Sequence, residues 1–254
     1  MHTDKSELKQ HGKNDLSVSI VIPTFNEKEN IEILIPEIKS LLHDMAHEII
    51  IVDDSSTDGT IETIEELQKK FEHIRLIVRK DKRGIGSALI DGYNHAKGNI
   101  ILSSDSDLSF KTADMLLLIE KLQEGSDIVV GSRHLQHNSY KMRQLSTKIK
   151  GVISRFGNKL NMWLTGIDIH DFTANFRAIK KEVWEKIDAR DNSNFVLAEM
   201  LILAHFKGYR VSEVPVEFRE RVYGESKLRL FREVPKFMYR LFLLTWRQKK
   251  KANE

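Results

Sequence analysis

The chain is 254 residues long, which fits one large domain, or one domain with an appendage, that buries a substantial core. Its composition, 41% hydrophobic and 30% charged, excludes a disordered chain, and the lack of cysteine excludes a disulfide framework or a thiolate metal site. The net charge of +3 conceals an asymmetry, because the chain through Gly131 carries 15 basic and 24 acidic side chains and the remainder carries 25 and 13. The basic remainder suggests an anionic partner, whether a membrane surface, a nucleic acid or a phosphorylated substrate.

Residues 1–16 are polar and contain no apolar signal-peptide core, so we expect a flexible lead-in before the fold. The sequence has no apolar run of about 18 residues, and it therefore predicts no transmembrane helix.

Strand and helix patterns alternate from residue 17 to Gly131, with short connections between them. Apolar runs and period-two alternation predict strands, and a 3.6-residue period predicts helices. The predicted strands are 17–23, 48–53, 74–79, 99–104 and 127–131, and the predicted helices are 28–44, 58–71, 86–97 and 112–124. This alternation predicts an α/β fold with a mostly parallel sheet flanked by helices.

Two acidic clusters follow predicted strands of this sheet. Asp53-Asp54 closes the second strand, and Asp105-Ser106-Asp107 follows the fourth. Open α/β sheets bind ligands beyond the carboxyl ends of their strands, so we expect both clusters to point into one crevice. Carboxylates at such an end are suited to one divalent cation beside a phosphate, and they favour Mg²⁺ or Mn²⁺.

A glycine-rich turn, Gly84-Ile85-Gly86, invites comparison with dinucleotide-binding folds. It follows the third strand rather than the first and lacks the third glycine of that fingerprint. We therefore interpret it as a loop that begins a helix and shapes the pocket.

Basic amphipathic helices dominate the chain after Gly131. The helix predicted at 143–164 has an apolar face opposite lysine and arginine, which is typical both of an interfacial helix and of a packed helix with a solvated outer face. An irregular stretch at 165–177, a short helix, a helix at 194–207 and a strand at 210–216 follow. The C-terminal segment again has helical periodicity, and Pro235 predicts that its helix begins near Val234.

Seven short motifs are spread in order along nearly the whole chain. They are Val21-Ile22-Pro23-Thr24-Phe25-Asn26-Glu27, Val52-Asp53-Asp54-Ser55-Ser56-Thr57-Asp58-Gly59-Thr60, Gly84-Ile85-Gly86, Asp105-Ser106-Asp107, Gly131-Ser132-Arg133, Phe176-Arg177-Ala178 and Arg221-Val222-Tyr223-Gly224-Glu225-Ser226-Lys227-Leu228. Each motif is weak alone. Together they resemble the family 2 nucleotide-sugar glycosyltransferases of GT-A fold, and among these the dolichol-phosphate mannosyltransferase-like polyprenyl-phosphate glycosyltransferases.

This resemblance implies a GT-A catalytic domain at 17–228 and a basic amphipathic segment at 229–254. It implies that Asp105, Asp107 and Arg133 are catalytic and that Asp105, Asp107 and Ser109 hold the metal. The donor would be bound by a wider set of residues, namely Pro23, Phe25, Glu27, Val52, Asp54, Asp105, Ser106, Asp107, Arg133, Arg221 and Lys227.

On the acceptor side, Arg143 and Ser146 match family positions. A further family motif spans Asp171 to Arg177 and includes Thr173. The chain departs from the family pattern at two places. Ser109 stands where glutamine is frequent, and Ala174-Asn175 stands where Ser-Gly is commoner.

The resemblance implies an enzyme that transfers mannose from GDP-mannose to a dolichyl-type polyprenyl phosphate with inversion, using Mg²⁺ or Mn²⁺. We expect it in the cytoplasm, peripherally associated with the cytosolic face of a membrane. A membrane-anchoring subunit is a further candidate partner, and no nucleic acid is expected.

Several alternatives stay open. One is a UDP-sugar donor with undecaprenyl phosphate or a glycan hydroxyl as the acceptor. A hydroxyl acceptor requires a carboxylate base to remove its proton, and Glu199 is the candidate for that base. A haloacid-dehalogenase-like phosphatase would use Asp105 and Asp107 as its nucleophile pair, although such a pair normally ends the first strand. The last is a non-catalytic membrane- or partner-binding module, suggested by Ser109 and the altered loop after it.

Overall fold

Alternating strands and helices form the first half of the fold, as the sequence predicts. The computed structural model describes residues 17–80, 84–135, 140–141, 157–219 and 230–252. The elements of the first half are β1 (Ser17–Thr24), α1 (Lys28–Leu41), β2 (Ala46–Asp53), α2 (Thr60–Lys70), β3 (Ile74–Val78), α3 (Ile85–His95), β4 (Ile100–Ser103), α4 (Met115–Gln123) and β5 (Ile128–Ser132). A single 3₁₀ turn, Thr112–Asp114, precedes α4.

The second half contains shorter strands and a helix of 23 residues near its end. Its elements are β6 (Tyr140–Lys141), a helix over residues 157–165 (α5), β7 (Arg177–Lys180), α6 (Lys181–Ile187), α7 (Val196–Phe206), β8 (Val211–Pro215), β9 (Phe218–Arg219) and α8 (Leu230–Ala252).

A seven-stranded sheet organises the molecule in the order β3-β2-β1-β4-β7-β5-β8. All neighbouring strands in it are parallel except β7, which is antiparallel to β4 and to β5. The prediction of a mostly parallel α/β sheet flanked by helices is confirmed. Strand β7 is absent from the sequence prediction, which placed an irregular stretch up to Arg177 and then a helix. Four residues that lead directly into a helix carry too little periodicity to reveal a strand.

The core lies on both faces of the central strands. Ile20, Ile22, Ile50 and Ile51 are fully buried, as expected for a parallel sheet covered by helices on each side. Helix α3 approaches β1 and β2 closely at Gly92, where an added Cβ would lie 2.3 Å from a methyl group of Val21. The absence of a side chain there sets how near α3 lies to the sheet edge that carries the acidic clusters.

Helix α8 packs on α7 by its inner face. Leu241 is fully buried, and the rings of Phe195 and Phe237 meet edge to face with 5.2 Å between their centroids. The prediction that this helix begins near Val234 is wrong, because α8 begins at Leu230 and contains Pro235. Proline removes one backbone N–H bond from a helix without necessarily ending it, and the packing of the next turns holds the helix together.

Four predicted site residues lie outside the described part of the chain: Arg143, Ser146, Arg221 and Lys227. The same is true of residues 1–16 and of residues 143–156 in the helix predicted at 143–164.

Candidate active site

One edge of the sheet collects the described site residues. The carboxyl ends of β1, β2, β4 and β5 lie at this edge because these strands run in one direction. Strand β7 runs the opposite way, so the segment before it, Asp171–Phe176, reaches the same edge. Such an edge is where open α/β sheets bind their ligands.

The loops after β1 and β2 are bonded to each other. Ser56 Oγ accepts from the backbone N–H of Asn26 at 2.8 Å, and Asn26 Oδ1 accepts from the N–H of Thr57 at 2.9 Å. Thr60 Oγ1 accepts from the N–H of Glu27 at 2.9 Å. These bonds fix the loop that carries Phe25 and Glu27 against the loop that carries Asp54.

The adjacent residues Asp53 and Asp54 have different environments. Asp53 is fully buried and accepts from Thr24 Oγ1 at 3.1 Å and from Ser56 at 2.7 Å (N–H) and 2.6 Å (Oγ). It therefore holds the two loops together. Pro23 and Val52 are opposite each other in the β1–β2 register, and the Val52 side chain is buried close to α3.

Asp54 forms an ion pair with Arg79, which the sequence analysis missed. The Arg79 guanidinium donates to Asp54 Oδ1 through Nε at 2.7 Å and through Nη2, while the Gly84 N–H donates to Asp54 Oδ2 at 2.8 Å. Arg79 Nη1 also reaches Ser87 at 2.7 Å and Asp91 at 3.3 Å. The β2–β3 register could have revealed this ion pair. It places Asp53 opposite Val78, so the next residues of the two strands, Asp54 and Arg79, also lie side by side.

The second acidic cluster follows β4, as predicted. Asp107 is nearly buried, and its Oδ1 accepts from the Ser109 N–H at 3.0 Å. Asp105 accepts at Oδ1 from the side-chain amide of Asn175 at 3.0 Å. Ser106, between them, is buried.

The residues around these carboxylates fit a divalent cation. Ser109 Oγ and Asn175 Oδ1 are both buried and have no hydrogen-bond partner among the described residues. Over the described ranges, no group of three or more acidic, histidine or cysteine side chains is placed to hold a metal. The protein would thus supply two carboxylates and neutral oxygens, and a bound diphosphate would supply further oxygens, which is how Mg²⁺ is commonly held.

Arg133, at the end of β5, is oriented by the segment before β7. Its Nε donates to Asp171 Oδ2 at 2.7 Å, and its Nη2 donates to Asp171 Oδ1 at 2.9 Å and to Thr173 Oγ1 at 3.1 Å. The guanidinium carbon also lies 5.2 Å from the centre of the Phe218 ring. Burial alone would raise the pKa of Asp171, but the charge and hydrogen bonds of Arg133 outweigh it and lower that pKa.

A second buried arginine rigidifies the same segment. Arg177 is fully buried and donates to the backbone carbonyls of Phe172, Ala174 and Leu197. Burial lowers its pKa to about 10, so Arg177 stays charged at neutral pH. Its bonds point to backbone carbonyls rather than towards the crevice, which makes it a scaffold for the segment.

The segment Asp171–Asn175 therefore links the two halves of the candidate site. One end holds Arg133 through Asp171, and the other end contacts Asp105 through Asn175. Glu199, the alternative carboxylate base, accepts from the backbone N–H groups of Arg190 at 2.9 Å and Asp191 at 2.8 Å. Burial raises the pKa of Glu199, and its bonds stabilise the loop before α7.

Solved structures resemble this fold. Glucosyl-3-phosphoglycerate synthase from Mycobacterium tuberculosis, in complex with Mn²⁺, UDP and phosphoglyceric acid, superposes with a TM-score of 0.67 at 17% identity over 98% of this chain and 84% of that one. The same protein with Mn²⁺ and UDP-glucose gives a TM-score of 0.68 at 17% identity over 96% and 84%. At this identity the likeness concerns the fold alone.

Related sequences are more similar. The chain is 35% identical over 219 residues to dolichol-phosphate mannosyltransferase of Pyrococcus furiosus, covering 84% of this chain and 60% of the relative. It is 31% identical over 219 residues to polyprenol monophosphomannose synthase of Mycolicibacterium smegmatis, covering 82% and 80%. Undecaprenyl-phosphate 4-deoxy-4-formamido-L-arabinose transferase of Edwardsiella ictaluri is 30% identical, with 85% and 64% covered. The chain thus spans less than two thirds of the Pyrococcus and Edwardsiella relatives.

Residues 19–188 match the family model described as glycosyl transferase family 2. That span includes the loops after β1 and β2, both acidic clusters, Arg133 and the segment before β7. The chain belongs to glycosyl transferase family 2.

Proposed function

We propose that this protein transfers mannose from GDP-mannose to a polyprenyl phosphate with inversion at the anomeric carbon. The observation that carries the proposal is the bridge between the acidic and basic parts of the site, in which the segment Asp171–Asn175 contacts both Asp105 and Arg133. A site of this kind suits a diphosphate-linked donor, because it offers carboxylates for a cation on one side and a fixed guanidinium on the other. The names of the Pyrococcus and Mycolicibacterium relatives support mannose and a polyprenyl acceptor.

The proposed reaction is one in-line displacement. An oxygen of the acceptor phosphate attacks the anomeric carbon, the bond from that carbon to the β-phosphate oxygen breaks, and its electron pair leaves with the nucleoside diphosphate. A phosphate monoester, with a second pKa of about 6, is largely dianionic at neutral pH, so the attack requires no protein base. The structural bonds of Glu199 are consistent with a mechanism that does not use it.

Asp105 and Asp107, with Ser109 beside them, are the residues that would hold Mg²⁺ or Mn²⁺. When bound, such a cation neutralises charge on the leaving diphosphate. Arg133 lies at the same sheet edge, and its two hydrogen bonds to Asp171 keep its charge in one place. We propose that this fixed charge, with Arg221 and Lys227, stabilises the diphosphate as it departs. Arg143 and Ser146 are the proposed contacts of the acceptor phosphate.

A second donor class has support of its own. The Edwardsiella relative is named for undecaprenyl phosphate and an arabinose derivative, and the mycobacterial neighbours were solved with UDP. A UDP-sugar donor with the same type of acceptor is therefore the alternative. Both donors would use the same carboxylates and the same displacement, and they differ in the base that meets Pro23, Phe25, Glu27 and Asp54.

We further propose that the protein meets its lipid acceptor by lying on a membrane surface. No helix in the described ranges is long and apolar enough to span a bilayer. Helix α8 nevertheless exposes Tyr239, Phe242 and Trp246 along one stripe, with Phe242 57% exposed, and Trp163 of α5 is 77% exposed. Lys249 Nζ donates to the carbonyl of Leu164 at 3.0 Å and so ties the two helices together.

We call these four exposed side chains of the two tied helices, Trp163, Tyr239, Phe242 and Trp246, the aromatic face. Tryptophan and tyrosine favour the boundary between lipid and water, and the exposed lysines at the end of α8 favour anionic lipid. The aromatic face is thus suited to peripheral binding, with a membrane-anchoring subunit as the alternative occupant.

A thermal-shift panel of nucleotide sugars tests the donor. The protein is melted with GDP-mannose, UDP-glucose, GDP, UDP and ADP, each with and without Mn²⁺. A ligand at about 100 times its dissociation constant adds about 2.7 kcal/mol, which raises the Tm of a domain of this size by about 5–10 °C. We expect GDP-mannose with Mn²⁺ to give the largest rise. A larger rise with UDP-glucose would favour the alternative donor, and no rise with any nucleotide would contradict the proposed function.

A further inference from the structure

Asn175 faces Asp105 because of the strand register. Strands β4 and β7 pair Ile100 with Lys180 and Ser103 with Arg177 in antiparallel order. The same register, continued past the strand ends, places Asn175 directly opposite Asp105. Side chains at directly opposed positions of an antiparallel pair lie close together on one face. The hydrogen bond of 3.0 Å from Asn175 Nδ2 to Asp105 Oδ1 follows from this placement.

The orientation of the Asn175 amide is fixed by chemistry. A carboxylate only accepts hydrogen bonds when it is ionised, so the NH₂ group of the amide must face Asp105. The amide oxygen therefore points away from that carboxylate. It is buried, in a side chain that is 2% exposed, and no described residue donates to it. A buried oxygen of this kind is costly unless some donor or cation meets it in the working protein.

Ser109 presents a second buried oxygen of the same kind on the other carboxylate. Its N–H donates to Asp107 Oδ1 at 3.0 Å, while its Oγ has no partner among the described residues and the residue is 2% exposed. Each carboxylate of the pair is thus bonded to a neighbour that carries an unsatisfied oxygen. A hydrated divalent cation would satisfy both, because Mg²⁺ and Mn²⁺ retain water molecules that donate hydrogen bonds.

We propose that Asn175 is a positioning residue of the divalent-metal site. Its Nδ2 holds Asp105 in one rotamer, and its Oδ1 accepts a hydrogen bond from the hydration shell of the cation. Glycine, the commoner residue at this position among the relatives that the sequence resembles, has no side chain to do either. This inference rests on the proposed metal-dependent transfer.

Direct measurement of Mn²⁺ binding tests this inference without using activity. Free Mn²⁺ is titrated by electron paramagnetic resonance in the presence of saturating GDP or UDP, whichever the protein binds. We expect Asn175→Gly to weaken Mn²⁺ binding about 10- to 100-fold, the usual range for residues that orient metal ligands. Adding Ser109→Gln to Asn175→Gly should recover much of the loss, because the longer side chain restores an oxygen near Asp107.

The matched control is Asn161→Ala. Asn161, on α5, is also a buried asparagine whose amide oxygen has no partner among the described residues. The Asn161→Ala variant should bind Mn²⁺ with the affinity of the wild type. The Tm of each metal-free variant reports whether the fold is retained, and if Asn175→Gly does not fold, Asn175→Ala replaces it.

The outcomes separate the inference from the proposed function. If the wild type binds Mn²⁺ and Asn175→Gly binds it equally well, the role of Asn175 is overturned and the metal site stands. If the wild type binds no Mn²⁺ with any nucleotide, the proposed metal dependence fails and the inference fails with it. Equal weakening in Asn161→Ala would mean that loss of any buried amide loosens the site, which also overturns a specific role for Asn175.

Discussion

At the scale of single residues, the carboxylates around the candidate site have different roles, and two of them mainly hold the structure together. Asp53 joins the loops after β1 and β2, and Asp171 is fixed on Arg133. Asp107 accepts from the Ser109 N–H and Asp105 accepts from the Asn175 amide, and each of these two neighbours also carries a buried oxygen without a partner among the described residues. These two buried oxygens support the proposal that the pair after β4 holds the metal.

Asp107→Asn should reduce sugar transfer by at least about 100-fold. The substitution removes one negative charge from a ligand of the proposed cation, and loss of one such electrostatic contact to a transition state costs about two to three orders of magnitude. The amide oxygen can still accept from the Ser109 N–H, so the Tm should change little. Initial rates of transfer with Mn²⁺ measure the effect.

Asp44→Asn is the control for this change, because Asp44 is an exposed acidic residue in the turn after α1. It should transfer sugar at the wild-type rate. Full transfer by Asp107→Asn, or an unchanged wild-type rate in excess chelator, would refute the metal assignment.

Asp171→Asn should lower the free energy of unfolding by about 3–5 kcal/mol at pH 7, since it leaves Arg133 without its buried counter-charge. Arg133 lowers the pKa of Asp171 in spite of burial, so the pair stabilises the fold fully above the unfolded pKa of about 3.9. That contribution is lost as the pH falls through the still lower folded pKa. Urea unfolding should therefore give the same difference in unfolding free energy between wild type and Asp171→Asn at pH 7 and pH 5, and a smaller difference below pH 4.

Asp188→Asn serves as the comparison. Asp188 also pairs with an arginine, Arg190, but both side chains are largely exposed. Its substitution should change the unfolding free energy far less than Asp171→Asn at every pH, because an exposed ion pair is screened by solvent. A difference for Asp171→Asn that grew on acidification would contradict the ion-pair explanation.

At the scale of elements, the start of α3 lies against the loop before α7. Gly86 contacts the backbone of Asn192 and Ser193, where an added Cβ would lie 2.1 Å from the Ser193 carbonyl oxygen. The Ser87 N–H also donates to the Asn192 carbonyl at 3.2 Å. The glycine pair that invites comparison with dinucleotide folds thus serves a close approach of two backbone segments, in keeping with its interpretation as a loop that begins a helix.

Gly86→Ala should destabilise the fold by about 1–3 kcal/mol, because backbone atoms must move to admit the methyl group. Chemical denaturation of both proteins measures the difference. The control is Gly157→Ala on α5, where an added Cβ meets no atom of the described residues within 4 Å. That variant should be neutral or more stable by up to about 1 kcal/mol, since alanine favours helices. Equal stability of Gly86→Ala and wild type would show that the loop before α7 shifts without energetic cost, and would contradict the close-approach explanation.

The elements could be predicted where the periodic signal is local and long. Strands β1 to β5 and helices α1 to α4 all lie within a few residues of their predicted bounds, because apolar runs and short connections determine them. Strand β7 has four residues, and its place depends on pairing with β4 and β5, which are distant in sequence. The start of α8 was misjudged for a related reason, since tertiary packing outweighs the local effect of Pro235.

In the candidate site, too, local sequence features could be predicted and contacts between distant segments could not. Both acidic clusters could be predicted because each directly follows a strand whose end is visible in the sequence, whereas Arg133 was named only because it matches a family position. Arg79 and Asn175 could not be predicted as their partners, because each meets its carboxylate across strands rather than along the chain. With the strand order known, the registers of β2 with β3 and of β4 with β7 would have pointed to both.

At the scale of the whole molecule, the charge asymmetry and the aromatic face support the proposal that one surface of the protein meets the lipid acceptor. The aromatic face belongs to α5 and α8, which lie in the basic remainder of the chain. Basic residues near an anionic surface contribute about 1 kcal/mol each and are screened within about 8 Å at physiological salt. Membrane binding should therefore combine salt-sensitive attraction with aromatic insertion.

Phe242→Ala combined with Trp246→Ala should weaken sedimentation with anionic vesicles several-fold while leaving the Tm unchanged, because both side chains are exposed. Leu117→Ala, an exposed apolar residue on α4, is the control and should bind vesicles like the wild type. Vesicle binding should also fall as salt rises. No binding by the wild type at low salt would exclude direct lipid association and leave an anchoring subunit as the occupant of the aromatic face.

The most direct test of the proposed function is the transfer of radiolabelled mannose from GDP-mannose to a polyprenyl phosphate in detergent or vesicles. We expect label to enter the lipid phase with Mg²⁺ or Mn²⁺, chelator to prevent this transfer, and Asp107→Asn to fail to produce it. Label that stays water-soluble with both GDP-mannose and UDP-glucose, although each nucleotide binds, would contradict the proposed transfer. Release of free sugar or inorganic phosphate instead of glycolipid would do the same.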